Sequence, residues 1–162
     1  MIQINAQLRL RMIDKTEYYK AYPWYQDEEI QYFVNGVKEP YDMDSIIGMF
    51  KFIQNHGELY YIEVLEGLEW IAIGDVSLLS KTNDDLPITI GNKNYWRKGI
   101  GTAVLLTMIE KARTQGRKKL EVEIYDYNEN SIKLYQKVGF RKKEKTEYSK
   151  RYYLSLGKKS HK

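Results

Sequence analysis

The chain contains no cysteine and only two histidines, His56 and His161. The first absence excludes disulfide staples, thiolate nucleophiles, thiolate metal sites and iron–sulfur clusters. The second leaves too few imidazoles for a histidine metal cluster, and no Gly-x-Ser-x-Gly elbow accompanies His56 to build a Ser-His-Asp triad. No metal is expected. No apolar run reaches membrane-spanning length and no basic-then-apolar leader opens the chain, so a cytoplasmic protein without a membrane partner is expected.

The 162 residues suit one domain, read as residues 1–157, with Lys158-Lys159-Ser160-His161-Lys162 as a polar tail. Charge is unevenly spread along them. Residues 1–80 hold 6 Lys and Arg against 13 Asp and Glu, while residues 81–162 hold 20 against 9, so a net +4 hides halves of −7 and +11. That split fits a basic nucleic-acid-binding module, and equally an enzyme joining a polyanionic cofactor to a cationic acceptor.

Hydrophobic periodicity gives the elements. Gln7 to Met12 alternates as a half-buried strand, followed by Asp14 as a helix cap. Asp27 to Val34 is a short helix stopped by Asn35-Gly36, and a second runs from Asp42 or Asp44 to Asn55 with Ile46, Ile47, Met49, Phe50 and Ile53 on one face. A hairpin with arms 59–64 and 70–78 turns around Glu66-Gly67-Leu68-Glu69. After a polar loop at 80–85 come a short strand, Leu86 to Ile90, a helix from about Gly99 to Gln115, and a strand from Lys119 to Tyr125. A helix then starts near Asn128 and stops at Gly139, and residues 140–156 form a terminal hairpin. The order describes one α/β domain, a mixed, twisted sheet flanked by helices.

The segment Trp96-Arg97-Lys98-Gly99-Ile100-Gly101-Thr102 lies between the strand Ile88-Thr89-Ile90 and a helix start. Unpaired N–H groups and the positive end of the helix dipole make such a start a phosphate site, with Arg97 and Lys98 adding charge. Alone, the glycine pair could serve only a tight turn. A dinucleotide loop, as in an oxidoreductase, needs a third glycine where Val104 stands and a shorter spacer after Ile90; a Walker A loop needs a Gly-Lys-Ser/Thr that is absent.

Downstream stand Asn128, Ser131, Tyr135 and Gly139-Phe140. With the glycine loop, this series resembles the GCN5-related N-acetyltransferase (GNAT) family over about residues 86–141, a loop Gln/Arg-x-x-Gly-x-Gly/Ala followed by a strand, Asn-x-x-Ala/Ser, a Tyr and Gly-Phe. Trp96 departs from the usual Gln or Arg, and Tyr95-Trp96 is similar to the branch of ribosomal-protein N-terminal and aminoglycoside acetyltransferases.

The resemblance implies acetyl-CoA as cofactor, bound by residues 96–102 through its phosphates, by the splayed strand Ile88-Thr89-Ile90 along its pantetheine arm, and by Asn128 and Ser131. A strand N–H near Ile88 to Ile90 serves as the oxyanion donor, and Tyr135 as the general acid. A helix cap with a first-turn serine is the competing reading of Asn128 and Ser131. The base is open among Asp75, Asp84, Asp85, Glu123 and a water relay. Trp24, Tyr25 and Asp27, in an aromatic and acidic stretch, and Asp75 are candidates for binding a small-molecule or peptide amine; an acidic helix start beside a buried Trp is the alternative. The partner expected is that amine rather than nucleic acid, and homodimer formation stays open.

Overall fold

The structure is a computed structural model that describes residues 1–80, 84–145 and 149–157. The tail 158–162, part of the polar loop at 80–85 and the tip of the terminal hairpin lie outside the described residues. The chain runs β1 (Ile2–Asn5), β2 (Leu8–Met12), a 3₁₀ helix (Lys15–Ala21), α1 (Tyr22–Tyr25), α2 (Glu28–Asn35), α3 (Met43–His56), β3 (Gly57–Glu66), β4 (Glu69–Leu79), β5 (Ile88–Ile90), a 3₁₀ turn (Lys93–Tyr95), α4 (Ile100–Thr114), β6 (Lys119–Tyr125), α5 (Glu129–Lys137), β7 (Arg141–Lys145) and β8 (Ser149–Ser155). Among the described residues, no helix is long and apolar enough to cross a membrane.

The strands form two antiparallel sheets, ordered β1-β2-β3-β4-β5 and β6-β8-β7. Among the described residues, one bridge joins them. Asp85 and Glu121 form a parallel bridge, with Leu86 N–H donating to Glu121 O (3.0 Å) and Glu121 N–H to Asp84 O (3.2 Å). Beyond it β5 and β6 part, so the mixed sheet expected from the sequence is split by a V-shaped cleft. Its apex is pinned by charge as well as backbone: Arg151 binds Asp85 (2.7 Å) and Glu121 (3.1 Å), and Lys143 binds Glu121 (2.8 Å). These cations hold the Glu121 carboxyl down at about 2, the Lys143 bond first and against the cost of burial.

Caps fix α2, which borders the cleft, and α3 beside it in sequence. Asp27 accepts from Glu29 N–H and Ile30 N–H to start α2, Gly36 ends it in the left-handed region (φ 73°), and Asp42 opens α3. One core lies between the sheet and α4, where Val104, Leu105, Met108, Ile109 and Ala112 are buried against Ile62, Val76, Leu120 and Val122. A second lies on the opposite face under α1 and α3, built from Trp24, Tyr25, Ile46, Phe50, Leu59 and Tyr61.

Three elements depart from the sequence reading. β1 is four residues long and half exposed, too short for a periodic signal. The 3₁₀ helix and α1 form one winding segment that only its cap, Asp14, announced. The terminal hairpin forms, but β8 lies between β6 and β7, because Val122 pairs with Tyr152 as Tyr152 also pairs with Lys142.

Candidate active site

The V-shaped cleft holds a cavity of about 460 Å³. Its walls are β5, β6, the start of α4, and the outer faces of α5 and α2. At the α4 start, Ala103 N–H is the first to find a helical acceptor, Gly99 O at 3.1 Å. Helix geometry thus leaves the N–H groups of Ile100, Gly101 and Thr102 without intrahelical partners. Gly99 sits in the left-handed region (φ 78°), which a glycine adopts freely; Arg97 (φ 61°) sits there too, at a cost of roughly 1–2 kcal/mol for a residue with a Cβ. Strained backbone of this kind persists only where the surrounding structure holds it.

Trp96, the residue that departs from the family pattern, supports this loop. Its indole N–H donates to Ile90 O at 2.7 Å, fastening the loop to β5. Just after β5, Gly91 makes room for Trp24, since a Cβ there would fall 2.0 Å from Trp24 Cγ. Along β5, Ser77 N–H bonds Pro87 O and Gly91 N–H bonds Ile73 O, so the alternation turns Ile88 C=O and Ile90 N–H into the cleft.

Ile88, Thr89, Ile90, Trp96, Arg97, Gly99, Ile100, Gly101, Thr102, Asn128, Ser131 and Tyr135 all line the cavity, so the two halves of the sequence motif meet. Lys98 does not line it, and its ammonium lies over the Tyr95 ring at 5.5 Å. Asn128 is the N-cap of α5, accepting from Ser131 N–H (3.2 Å) and donating to Phe33 O (3.4 Å). The cap reading therefore holds for that pair alongside its position in the cavity wall. Tyr135 is buried at the apex, where its hydroxyl donates to Leu86 O (2.6 Å) and its ring meets Phe140 edge-on. Burial pushes its phenol well up, only partly offset by the Ile88 N–H, so its proton is retained at any physiological pH.

The four residues expected to bind the acceptor are arranged otherwise. Trp24 and Tyr25 are buried in the second core, because the turn at Pro23 folds both rings beneath the sheet. Asp27 is consumed as the α2 cap and by Lys93, whose ammonium lies 2.9 Å from it and 3.0 Å from Glu29. These three residues are thus core and cap, while Glu28 and Glu29 of the same stretch stay exposed. Asp75 lies inside as well, accepting from the Tyr25 hydroxyl at 2.8 Å. Burial lifts its carboxyl to about 7 against the lowering effect of that hydrogen bond. Of the remaining base candidates, Asp84 binds Arg117 (2.8 Å) and Asp85 binds Arg151, and neither lines the cavity.

Glu123 does line it, and among the described residues it is the one carboxylate that does. Its side chain is half exposed, accepts from Ser149 Oγ at 2.6 Å, and has Arg151 only at 3.9 Å. Sequence reasoning missed Ile30, Phe33 and Val34, which α2 brings over the cleft, and Lys133 and Lys137 on α5. The lysines had a legible signal: Asn130, Lys133 and Lys137 recur at i, i+3 and i+7, one stripe of the helix. The α2 residues had none, since only tertiary packing carries α2 there. Tyr127 fastens it, donating to Tyr32 O (2.6 Å) with the two rings stacked at 4.0 Å.

This fold and site define an α/β protein whose cleft ends at a helix start with unpaired backbone N–H groups. Residues 7–141 match the acetyltransferase (GNAT) domain. The chain belongs to the GNAT acetyltransferase family. It is similar to an uncharacterized protein of Methanocaldococcus jannaschii, 23% identical over 142 residues, which are 87% of this chain and 29% of that one. The chain therefore spans under a third of that curated relative. A solved domain from the same organism superposes with a TM-score of 0.84 at 23% identity, covering 93% of this chain and 99% of that one. Spermidine N-acetyltransferase from Vibrio cholerae, solved in complex with CoA and spermine, has the same fold at a TM-score of 0.76 and 18% identity, covering 94% and 97%.

Proposed function

We propose that the chain moves the acetyl group of acetyl-CoA to a primary amine by direct attack, with the cofactor in the cleft between β5 and β6. The observation that carries this reading is the continuity of the cleft. Backbone groups of Ile88 and Ile90 face it at one end, the free N–H groups of residues 100–102 lie at the other, and Arg97, Lys133 and Lys137 line the same cavity. A ligand with two amides and a polyphosphate matches that sequence of donors and charges. Bound there, acetyl-CoA supplies the activated acyl group and a thiolate leaving group. Asn128 and Ser131 border the arm, and Ile90 N–H is the candidate donor to the acyl oxygen. Tyr135, at the apex, is the group to protonate the departing sulfur, its hydrogen turning from Leu86 O to do so.

The acceptor enters from the side of α2. Glu123 attracts its ammonium, and Ile30, Phe33 and Val34 contact the carbon beside it. Thermal melting with acetyl-CoA, NAD and short DNA at several salt concentrations tests the reading. Acetyl-CoA alone is expected to raise the melting temperature. Stabilisation by DNA alone would instead support a nucleic-acid module using the basic half of the chain, and stabilisation by NAD alone a dinucleotide site.

A further inference from the structure

One buried charged group has no part in the roles above. Asp75 stands on β4 with 7% of its surface exposed, among the aromatic residues of the second core, and no cation pairs with it among the described residues. Its neighbours are few. Tyr25 reaches it from α1, Tyr61 is its register partner on β3, and Thr89 its register partner on β5. Behind Tyr61 the nearest charges, Arg11 and Glu17, are paired with each other at 2.6 Å, while α3 contributes the apolar Ile46 and Phe50. An amide would satisfy Tyr25 with less desolvation than a carboxylate. A lone carboxylate kept here calls for a use of its charge.

Thr89 provides the connection to the cleft. It lines the cavity as the register partner of Asp75, and a hydrogen bond from its hydroxyl offsets part of the rise that burial first, and then Asp75, impose on the Tyr25 phenol, while Tyr25 donates to Asp75 at 2.8 Å. We propose that Thr89, Tyr25 and Asp75 form a hydrogen-bonded relay that removes the proton from the acceptor ammonium and stores it on Asp75. This rests on the acetyl-transfer reading. In the step, the ammonium N–H bond breaks and its proton passes to Thr89 Oγ as the Thr89 proton moves to Tyr25 and the Tyr25 proton to Asp75 Oδ2. The amine lone pair then forms the N–C bond to the acyl carbon and the C–S bond breaks, its electrons leaving on sulfur. Tyr135 gives its proton to the departing sulfur and takes up the second nitrogen proton in exchange, and neutral Asp75 returns its proton to solvent along the same chain. With its pKa near neutrality, Asp75 can accept a proton and release it within one cycle. Asp75 touches no reacting atom and acts through the two hydroxyls.

Two measurements test this. In the free protein, ¹³C-carboxyl NMR of labelled aspartates follows the titration of Asp75, assigned by its absence in Asp75→Asn. A midpoint near neutrality is expected, and one in the ordinary carboxylate range overturns the relay. Turnover is read as thiol release with acetyl-CoA and benzylamine, spermine or an alanine-initiated peptide, taking the fastest. Asp75→Asn, Tyr25→Phe and Thr89→Val are expected to lose about 10²-fold or more in kcat/KM for the amine. They should flatten the acid limb of the pH profile, with acetyl-CoA affinity unchanged in Asp75→Asn and Tyr25→Phe, while Thr89→Ser stays within a few-fold. The relay is overturned if Asp75→Asn keeps both rate and acid limb, or if Glu123→Gln removes that limb and Asp75→Asn does not. Acetyl-CoA binding with no turnover of any amine overturns the acetyl-transfer reading, and the relay with it.

Discussion

Asp75 ionises near 3.8 in an unfolded chain and near 7 in the folded protein, where burial disfavours its charge. Between those values the folded state keeps a proton that the unfolded state has lost, so this group makes stability fall as pH rises through the window and level off above it. At about 1.4 kcal/mol per pH unit, the gap corresponds to about 4 kcal/mol. Asp75→Asn has no such proton and keeps an oxygen for Tyr25. It should therefore match the parent within about 1 kcal/mol at pH 4 and exceed it by an amount approaching 4 kcal/mol at pH 8. Glu121, whose carboxyl is held at about 2 against an ordinary 4.5, acts in the opposite sense and overlaps only the acid edge of this window: its stabilisation is lost as pH falls from its ordinary range toward 2, and it cancels in the comparison. Urea unfolding at several pH values, read by tryptophan fluorescence, measures the difference. A gap between the two proteins that does not change with pH would refute the reasoning.

Other outcomes follow from the same geometry. Arg97→Gly releases a left-handed strain, so the free protein should gain about 1 kcal/mol while acetyl-CoA binds more weakly, both read by melting with and without cofactor. Removing the two cations of α5 together, Lys133→Ala with Lys137→Ala, should cost about 0.5–2 kcal/mol of acetyl-CoA affinity by calorimetry at low salt and much less at high salt. Tyr135→Phe leaves the buried Leu86 carbonyl without its donor, which should cost about 1–3 kcal/mol of stability. In the same variant thiol release should fall about 10²–10⁴-fold with acetyl-CoA still bound.

The two-part motif was legible because each part is local: a helix start read from Gly99 and Gly101, and a strand, cap and helix read from Val122 through Tyr135. Their meeting across the cleft follows from the family-like order of elements. The fate of Trp24 and Tyr25 was not legible. Aromatic residues beside carboxylates look alike in sequence whether they face solvent or core, and only the packing of α1 under β3 and β4 buries them. Glu123 and Asp75 present the reverse difficulty. Both stand on strands with unequal faces, but whether a carboxylate borders the cleft or lies behind it depends on where β5 and β6 separate, and the Asp85–Glu121 bridge sets that point.

Acetyl transfer itself is tested most directly by mass spectrometry of a panel of amines incubated with the protein and acetyl-CoA, with free thiol counted in parallel. The account expects one amine to gain a single acetyl group for each thiol released, at a rate that falls when the cleft is closed by Gly101→Trp. Thiol release without any acetylated amine, or acetylation that survives closure of the cleft, would contradict it.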